Sequence, residues 1–228
     1  MTERTLKQRI HDGDPLHIGW ASLAMSQAHI ADRRGDETWD LVFVDAQHAA
    51  FSEADLVAFC QRANALGVPA LLRIRHPRLA FLAGNYADLG PLGILVPLVE
   101  TPATVSDALE GFYYPPLGRR SWGPAYGYGR ADIQDREAYA AWWNEHGILA
   151  LQIETVEAVS NVRALVQPGV DVLLFGSNDL SFSLAACPEG PFDSIEACWQ
   201  YVVGETAGAG VRVAVGMLPY GRFDRSER

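Results

Sequence analysis

Nearly uninterrupted apolar runs recur along this chain, among them DLVFVD at Asp40–Asp45, GILVPLV at Gly93–Val99 and VDVLLFG at Val170–Gly176. A strand with one wet face alternates apolar and polar residues. A run that is apolar almost throughout is buried on both faces, the pattern of a parallel sheet covered by helices. Seven segments read as strands on this basis: His17–Ser22, Asp40–Ala46, Pro69–Ile74, Gly93–Val99, Ile148–Glu154, Val170–Gly176 and Val211–Met217. Amphipathic stretches lie between them, at Glu53–Leu66, Arg78–Asp88, Thr104–Glu110, Asp135–His146, Val156–Val166 and Ser194–Gly208. Ser52 ahead of Glu53 is a helix-capping residue in the right place.

Alternating strands and helices over 228 residues point to one α/β domain, a TIM-type (β/α) barrel. A doubly wound open sheet is the alternative, but no GxGxxG or Walker loop follows any strand. Seven strands rather than eight are expected. The tail LPYGRFDRSER after Met217 is too short for an eighth β/α unit, so the barrel is expected to lack its last one. The stretch Gly111–Arg130 is dense in glycine, proline and aromatics and reads equally as a functional loop over the barrel mouth or as a structural or subunit-contact loop.

Charge and composition exclude several functions. A net charge of −10 argues against a nucleic-acid surface. No apolar run is long enough to span a bilayer, and the charged N-terminus has no apolar signal core, so a soluble cytoplasmic protein is expected. Cys60, Cys187 and Cys198 show no CxxC or zinc spacing and read as reduced thiols. Lys7 is the only lysine, placed in a polar leader before the first strand. Schiff-base aldolases and pyridoxal-phosphate enzymes need a lysine amine in a dehydrated pocket. If this chain stabilises a carbanion, a metal is the better electron sink.

Barrel active sites form at the C-terminal ends of the strands. Four predicted strands end in polar residues there: Asp45, Gln47 and His48; Arg73 and Arg75; Gln152 and Glu154; Ser177, Asn178 and Asp179. Two carboxylates, Glu154 and Asp179, suit a hard cation such as Mg²⁺ or Mn²⁺. Arg73 can neutralise an oxyanion, and His48 can move protons near neutral pH. The Gly176-Ser177-Asn178 turn, where a helix begins, can offer N–H groups to a carboxylate. Each residue also has a structural reading: Glu154 and Asp179 as helix caps, Arg73 as an ion-pair partner, His48 as a satisfied histidine.

The segments FVDAQHA, LLRI, DLGPLGILVPLVET, YYPPLGRRSWG, LQIET and FGSNDLS, in that order from about Ile18 to Leu184, resemble the HpcH/HpaI aldolases. These are metal-dependent (class II) pyruvate aldolases related to the citrate lyase β-subunit and malyl-CoA lyases. The resemblance implies a phosphoenolpyruvate/pyruvate-type barrel assembled as a homo-oligomer, a trimer or hexamer. It implies a divalent cation (Mg²⁺, Mn²⁺ or Co²⁺) on Glu154 and Asp179, chelated by pyruvate. Arg73 would stabilise the enolate oxygen, and backbone amides around Gly176, Ser177 and Asn178 would hold the carboxylate. His48 would be the acid/base poised by Asp88, with Gln152 behind the metal and Arg120 near the mouth. The implied reaction is reversible cleavage of a 4-hydroxy-2-oxo acid to pyruvate and an aldehyde. A CoA-ester lyase of the citrate or malyl type and a non-catalytic relative are the alternatives. Three positions depart from the family pattern: Gln47 stands where Glu is usual, and Ser177 and Asn178 where Pro and Ala are usual; the family's final strand and helix are also expected to be lacking.

Overall fold

The computed structural model describes residues 4–215 and 222–223. Seven parallel strands run in sequential order: β1 (Leu16–Trp20), β2 (Leu41–Asp45), β3 (Ala70–Arg73), β4 (Gly93–Val96), β5 (Ile148–Ile153), β6 (Val172–Phe175) and β7 (Arg212–Val215). All seven fall inside the expected strand segments, apart from one residue at the start of β1. An eighth strand was not expected. Two residues of the tail, β8 (Arg222–Phe223), nevertheless pair antiparallel with β1, through Leu16↔Phe223 and His17↔Arg222. A two-residue strand needs no apolar run of its own, which is why the tail's composition hid it. Among the described residues β7 and β8 remain the two ends of the sheet, so the architecture is a curled (β/α) half-barrel rather than a closed barrel.

The helices are α1 (Leu6–His11), α2 (Gln27–Arg34), α3 (Glu53–Asn64), α4 (Ala83–Ala87), α5 (Pro102–Phe112), α6 (Arg136–His146), α7 (Val156–Ser160), α8 (Val162–Leu165), α9 (Ser177–Ala186) and α10 (Ile195–Glu205). Ser52 caps α3, its side chain accepting the Asp55 N–H. The expected helix Arg78–Asp88 is instead a 3₁₀ turn, Pro77–Leu82, running into α4, and Val156–Val166 is broken at Asn161 into α7 and α8.

Period-two geometry divides the strand residues between two cores. Val42 and Val44, Leu72, Ile94 and Val96, Leu149, Leu151 and Ile153, and Leu173 and Phe175 pack outward under the helices. Leu41 and Phe43, Leu71, Leu95, Ile148 and Ala150, and Val172 and Leu174 fill the inner face, with Ile10 of α1. The same parity carries Asp45, Arg73, Gln152, Glu154 and Gly176 onto the inner face, one step beyond the apolar plug.

Helix α1 closes the opposite, N-terminal end. Lys7 is therefore not in a polar leader. Its ammonium donates to the Tyr113 hydroxyl at 2.8 Å and the Gly147 carbonyl at 2.9 Å, and lies 3.3 Å from the buried Asp171 carboxylate. His11 Nε2 reaches the same carboxylate at 2.8 Å. Burial lowers the Lys7 pKa against the opposing pull of Asp171, whereas the hydrogen bond that His11 donates to Asp171 raises the His11 pKa.

The segment 111–130 also belongs to this end, not to the mouth. The Tyr113 hydroxyl donates to the Gly169 carbonyl at 2.7 Å, just before β6, and the Tyr126 N–H to the Asp88 carbonyl at 3.1 Å, just before β4. Tyr128 packs on the inner core beside Trp142. The cause is topological: the segment joins two helices, α5 and α6, with no strand between them, so it starts where a helix ends. An open cavity of about 1080 Å³, lined by Trp122, Tyr126, Arg130 and Trp142, is formed largely by this segment, and none of the polar strand-end residues lines it.

Candidate active site

The site assembles from the inner-face residues at the C-terminal strand ends. Asp45 and Arg73 are register partners on β2 and β3. The Arg73 guanidinium forks onto the Asp45 carboxylate, Nε to Oδ1 at 2.9 Å and Nη2 to Oδ2 at 2.6 Å. Its third nitrogen, Nη1, donates to Gln152 Oε1 at 3.3 Å. The Gln152 amide passes the array on, with Nε2 donating to Glu154 Oε2 at 2.6 Å. Glu154 Oε1 accepts the Leu98 N–H at 2.8 Å. Five groups from β2, β3, β5 and the loop after β4 thus form one continuous polar chain across the mouth.

Glu154 is 1% exposed, so its carboxylate has lost almost all its water. Burial raises its pKa to about 7, with the Asp179 carboxylate adding to the rise through its charge and a hydrogen bond, while the Leu98 N–H and Arg73 oppose it. Both direct partners of its oxygens, Gln152 and Leu98, are neutral donors. The one guanidinium nearby is spent on Asp45. Glu154 is therefore fixed in place by neutral donors, and its buried charge is relieved by a proton, as the raised pKa shows, unless a cation takes that place. Glu154 does not cap the helix that follows it; Thr155 does, accepting the Ala158 N–H.

Asp179 sits in the first turn of α9, exposed. The N-cap of that helix is Gly176, and no side chain caps it, so the N–H groups around Ser177 and Asn178 stay available to an anion. Gly176 is required by close approach: a Cβ there would lie 2.7 Å from Glu154 Cβ, 2.8 Å from Glu154 Oε2 and 3.0 Å from Gln152 Nε2.

Asp45 has a second task. Its carboxylate accepts the Gln47 N–H at 2.9 Å, an Asx-type turn, and the His48 N–H as well. Burial would raise its pKa, but Arg73 and these two N–H groups prevail and hold it below the usual carboxylate range. The turn places His48 at the mouth, exposed.

Two expected site residues lie elsewhere. Arg120 is buried, its guanidinium 4.3 Å from the Trp143 ring and 4.7 Å from that of Tyr114, and it donates to Asp88 at 2.5 Å. Asp88 is thus engaged by Arg120 at the N-terminal end of β4, not by His48. Burial raises the Asp88 pKa and Arg120 opposes it. Conversely, two groups in the array went unassigned from the sequence. Asp45 was visible as a polar strand end but received no partner. The Leu98 amide is a main-chain group in an apolar segment and gave no side-chain signal. No thiol is part of the array: Cys60 and Cys198 are buried and Cys187 exposed, and burial pushes Cys60 up to about 12.

Among the described residues no cluster of three or more His, Cys, Asp or Glu side chains forms. Two carboxylates, one of them exposed, fit a hard divalent cation that keeps part of its hydration shell, and do not fit a closed zinc site.

Residues 22–215 match the model of the HpcH/HpaI aldolase/citrate lyase family. The chain belongs to that family. It is 29% identical over 160 residues to the 2-dehydro-3,6-dideoxy-6-sulfogluconate aldolase of Pseudomonas putida, a match covering 70% of this chain and 62% of that enzyme. It is 27% identical to the 4-hydroxy-2-oxovalerate aldolase of Novosphingobium aromaticivorans, over 98% of this chain and 81% of that one. Its fold matches the crystal structure of an HpcH/HpaI aldolase from Desulfitobacterium hafniense DCB-2 with a TM-score of 0.78 at 24% identity, covering 93% and 82% of the two chains. Family and relatives alike are named as aldolases or lyases. Among the described residues no helix is long and apolar enough to cross a membrane.

Proposed function

We propose that this chain is a divalent-metal-dependent aldolase that reversibly cleaves a 4-hydroxy-2-oxo acid to pyruvate and an aldehyde. The observation that carries the reading is the buried Glu154 carboxylate, held by two neutral donors and facing Asp179, with no cationic group of its own. Glu154 and Asp179 would hold Mg²⁺, Mn²⁺ or Co²⁺. Bound there, such an ion supplies a Lewis acid that lowers the cost of negative charge on a 2-oxo group.

The chain's own residues do the rest. The N–H groups of Ser177 and Asn178 at the start of α9 bind the substrate carboxylate; that of Gly176, expected to join them, is instead held by the Ile153 carbonyl at 2.8 Å. His48 accepts the proton of the 4-hydroxyl. The C3–C4 bond breaks, its electron pair moves onto the 2-oxo oxygen, and the aldehyde departs. Arg73, clamped by Asp45, faces that developing charge with Nη1. A proton returned to C3 completes pyruvate. Gln152 holds Glu154 and Arg73 in register. Arg120 and Asp88 take no part in this scheme as the chain is folded; they brace the N-terminal end. A homo-oligomer with the family's trimeric or hexameric habit is part of this reading.

The test is pyruvate release from a panel of 4-hydroxy-2-oxo acids by protein stripped with EDTA and reloaded with each metal. Release that requires the metal supports the reading. Release undiminished by EDTA, or none from any member of the panel, overturns it.

A further inference from the structure

Leu98 is the only non-glycine residue with a positive φ, 48°, among the described residues. A side-chain-bearing residue keeps that conformation only where its surroundings over-determine it. Here they do. Pro97, which precedes it, is buried and fixed in φ by its ring. Val99, which follows it, donates its N–H to the Gln152 carbonyl at 3.2 Å. In an extended chain successive N–H groups point to opposite sides. The left-handed residue breaks that alternation, so two consecutive N–H groups both address the end of β5. One takes the Gln152 main chain; the other takes the Glu154 carboxylate at 2.8 Å.

We propose that the Leu98 amide is a positioning group: the left-handed turn Pro97–Leu98–Val99 presents it to Glu154 Oε1 and so pre-sets that carboxylate for a divalent cation. This rests on the reading that Glu154 and Asp179 hold the cation. With Oε1 held by Leu98 and Oε2 by Gln152, the carboxylate cannot swing, and neither donor cancels its charge. A lysine or arginine in the place of Leu98 N–H would hold Glu154 equally well but compete with the cation. A backbone amide does not compete, and its position is as rigid as the turn.

The experiment uses the full chain with leucine 98 replaced, by nonsense suppression, with its α-hydroxy analogue, which exchanges the one N–H for an ester oxygen. Mn²⁺ affinity is read by calorimetric titration, and apo-protein melting by circular dichroism. Loss of a group that orients a metal ligand weakens metal binding by about 10- to 100-fold, and that is the expected loss. The same exchange at Val99 removes a neighbouring main-chain bond of the same turn and is expected to lower the melting temperature without that loss of Mn²⁺ affinity. Leu98→Gly keeps the N–H but frees the backbone, and is expected to weaken Mn²⁺ by about two- to fivefold. Unchanged affinity in the Leu98 ester, or equal losses in the two esters, overturns the proposal. If the Leu98 ester does not fold, an unchanged affinity in Leu98→Gly overturns it. Failure of the unmodified protein to bind Mn²⁺ overturns the metal reading and the proposal with it, and is recognised before any substitution is made.

Discussion

Gly176→Ala adds one methyl group at the point where β6 passes Glu154. The backbone tolerates it, since φ at Gly176 is −95°. The obstacle is steric. The new carbon would lie 2.7 Å from Glu154 Cβ and 2.8 Å from Oε2, inside contact distance for both. Overpacking of this kind costs about 1–3 kcal/mol. Reduced freedom of the unfolded chain returns about 0.4–1 kcal/mol. The net loss is about 1–2 kcal/mol, which for a chain of this length is about 2–8 °C in melting temperature. The consequence for the site is larger. Glu154 must rotate away from Gly176, which breaks its bond to Gln152 or to Leu98, so Mn²⁺ affinity falls about 10- to 100-fold. Calorimetric titration and thermal melts measure both effects. Gly204→Ala in α10, where a Cβ meets nothing within 4 Å, is the matched control and should raise stability by about 0.5–1 kcal/mol. A Gly176→Ala protein that melts and binds Mn²⁺ like the unmodified one would refute the placement of the Glu154 carboxylate against β6.

Asp45→Asn leaves Arg73 partly buried without its forked partner and should cost about 2–4 kcal/mol in denaturant unfolding, with loss of aldol cleavage. Because Asp45 is held below the usual carboxylate range, its contribution is present above its unfolded pKa and is lost as pH falls through the folded value. The unmodified protein should therefore lose stability at acid pH more steeply than Asp45→Asn. Glu154 has the opposite sign. With its pKa at about 7, the apo protein loses stability as pH rises from the unfolded carboxylate range toward 7, while Mn²⁺ binding, which requires the carboxylate, strengthens over the same interval. A pH series of Mn²⁺ titrations that is flat from 5 to 8 would contradict this. Lys7→Met should lower the melting temperature by removing the ammonium beside Asp171, yet keep metal-dependent cleavage. Borohydride with pyruvate should leave the unmodified protein active. Covalent trapping on Lys7 would refute the metal reading.

The strands were legible because burial on both faces writes itself into seven local runs, and their inner-face parity carried Asp45, Arg73, Gln152, Glu154 and Gly176 to one place. Helices α1 and α2 were missed because they are short and polar, held by capping residues such as Thr5 and Ser26 rather than by an apolar stripe. The segment 111–130 was misplaced because its composition says loop but not which end. The order of elements does contain that information: it follows one predicted helix and precedes another, so it cannot be a strand-to-helix loop at the mouth. Arg120 and Asp88 went astray with it, since their pairing depends on a long-range contact between α4 and that segment. The Leu98 amide was invisible for a different reason, being a main-chain donor whose direction is set by one dihedral angle.

Exchange of the pyruvate methyl protons with deuterium, followed by proton NMR, isolates the proton-moving half of the proposed reaction without needing the aldehyde. The unmodified protein should catalyse exchange with Mg²⁺, Mn²⁺ or Co²⁺ and lose it on adding EDTA or in Glu154→Gln. No exchange with any of the three metals, or exchange that survives both treatments, would contradict the assignment of Glu154 and Asp179 as the metal pair.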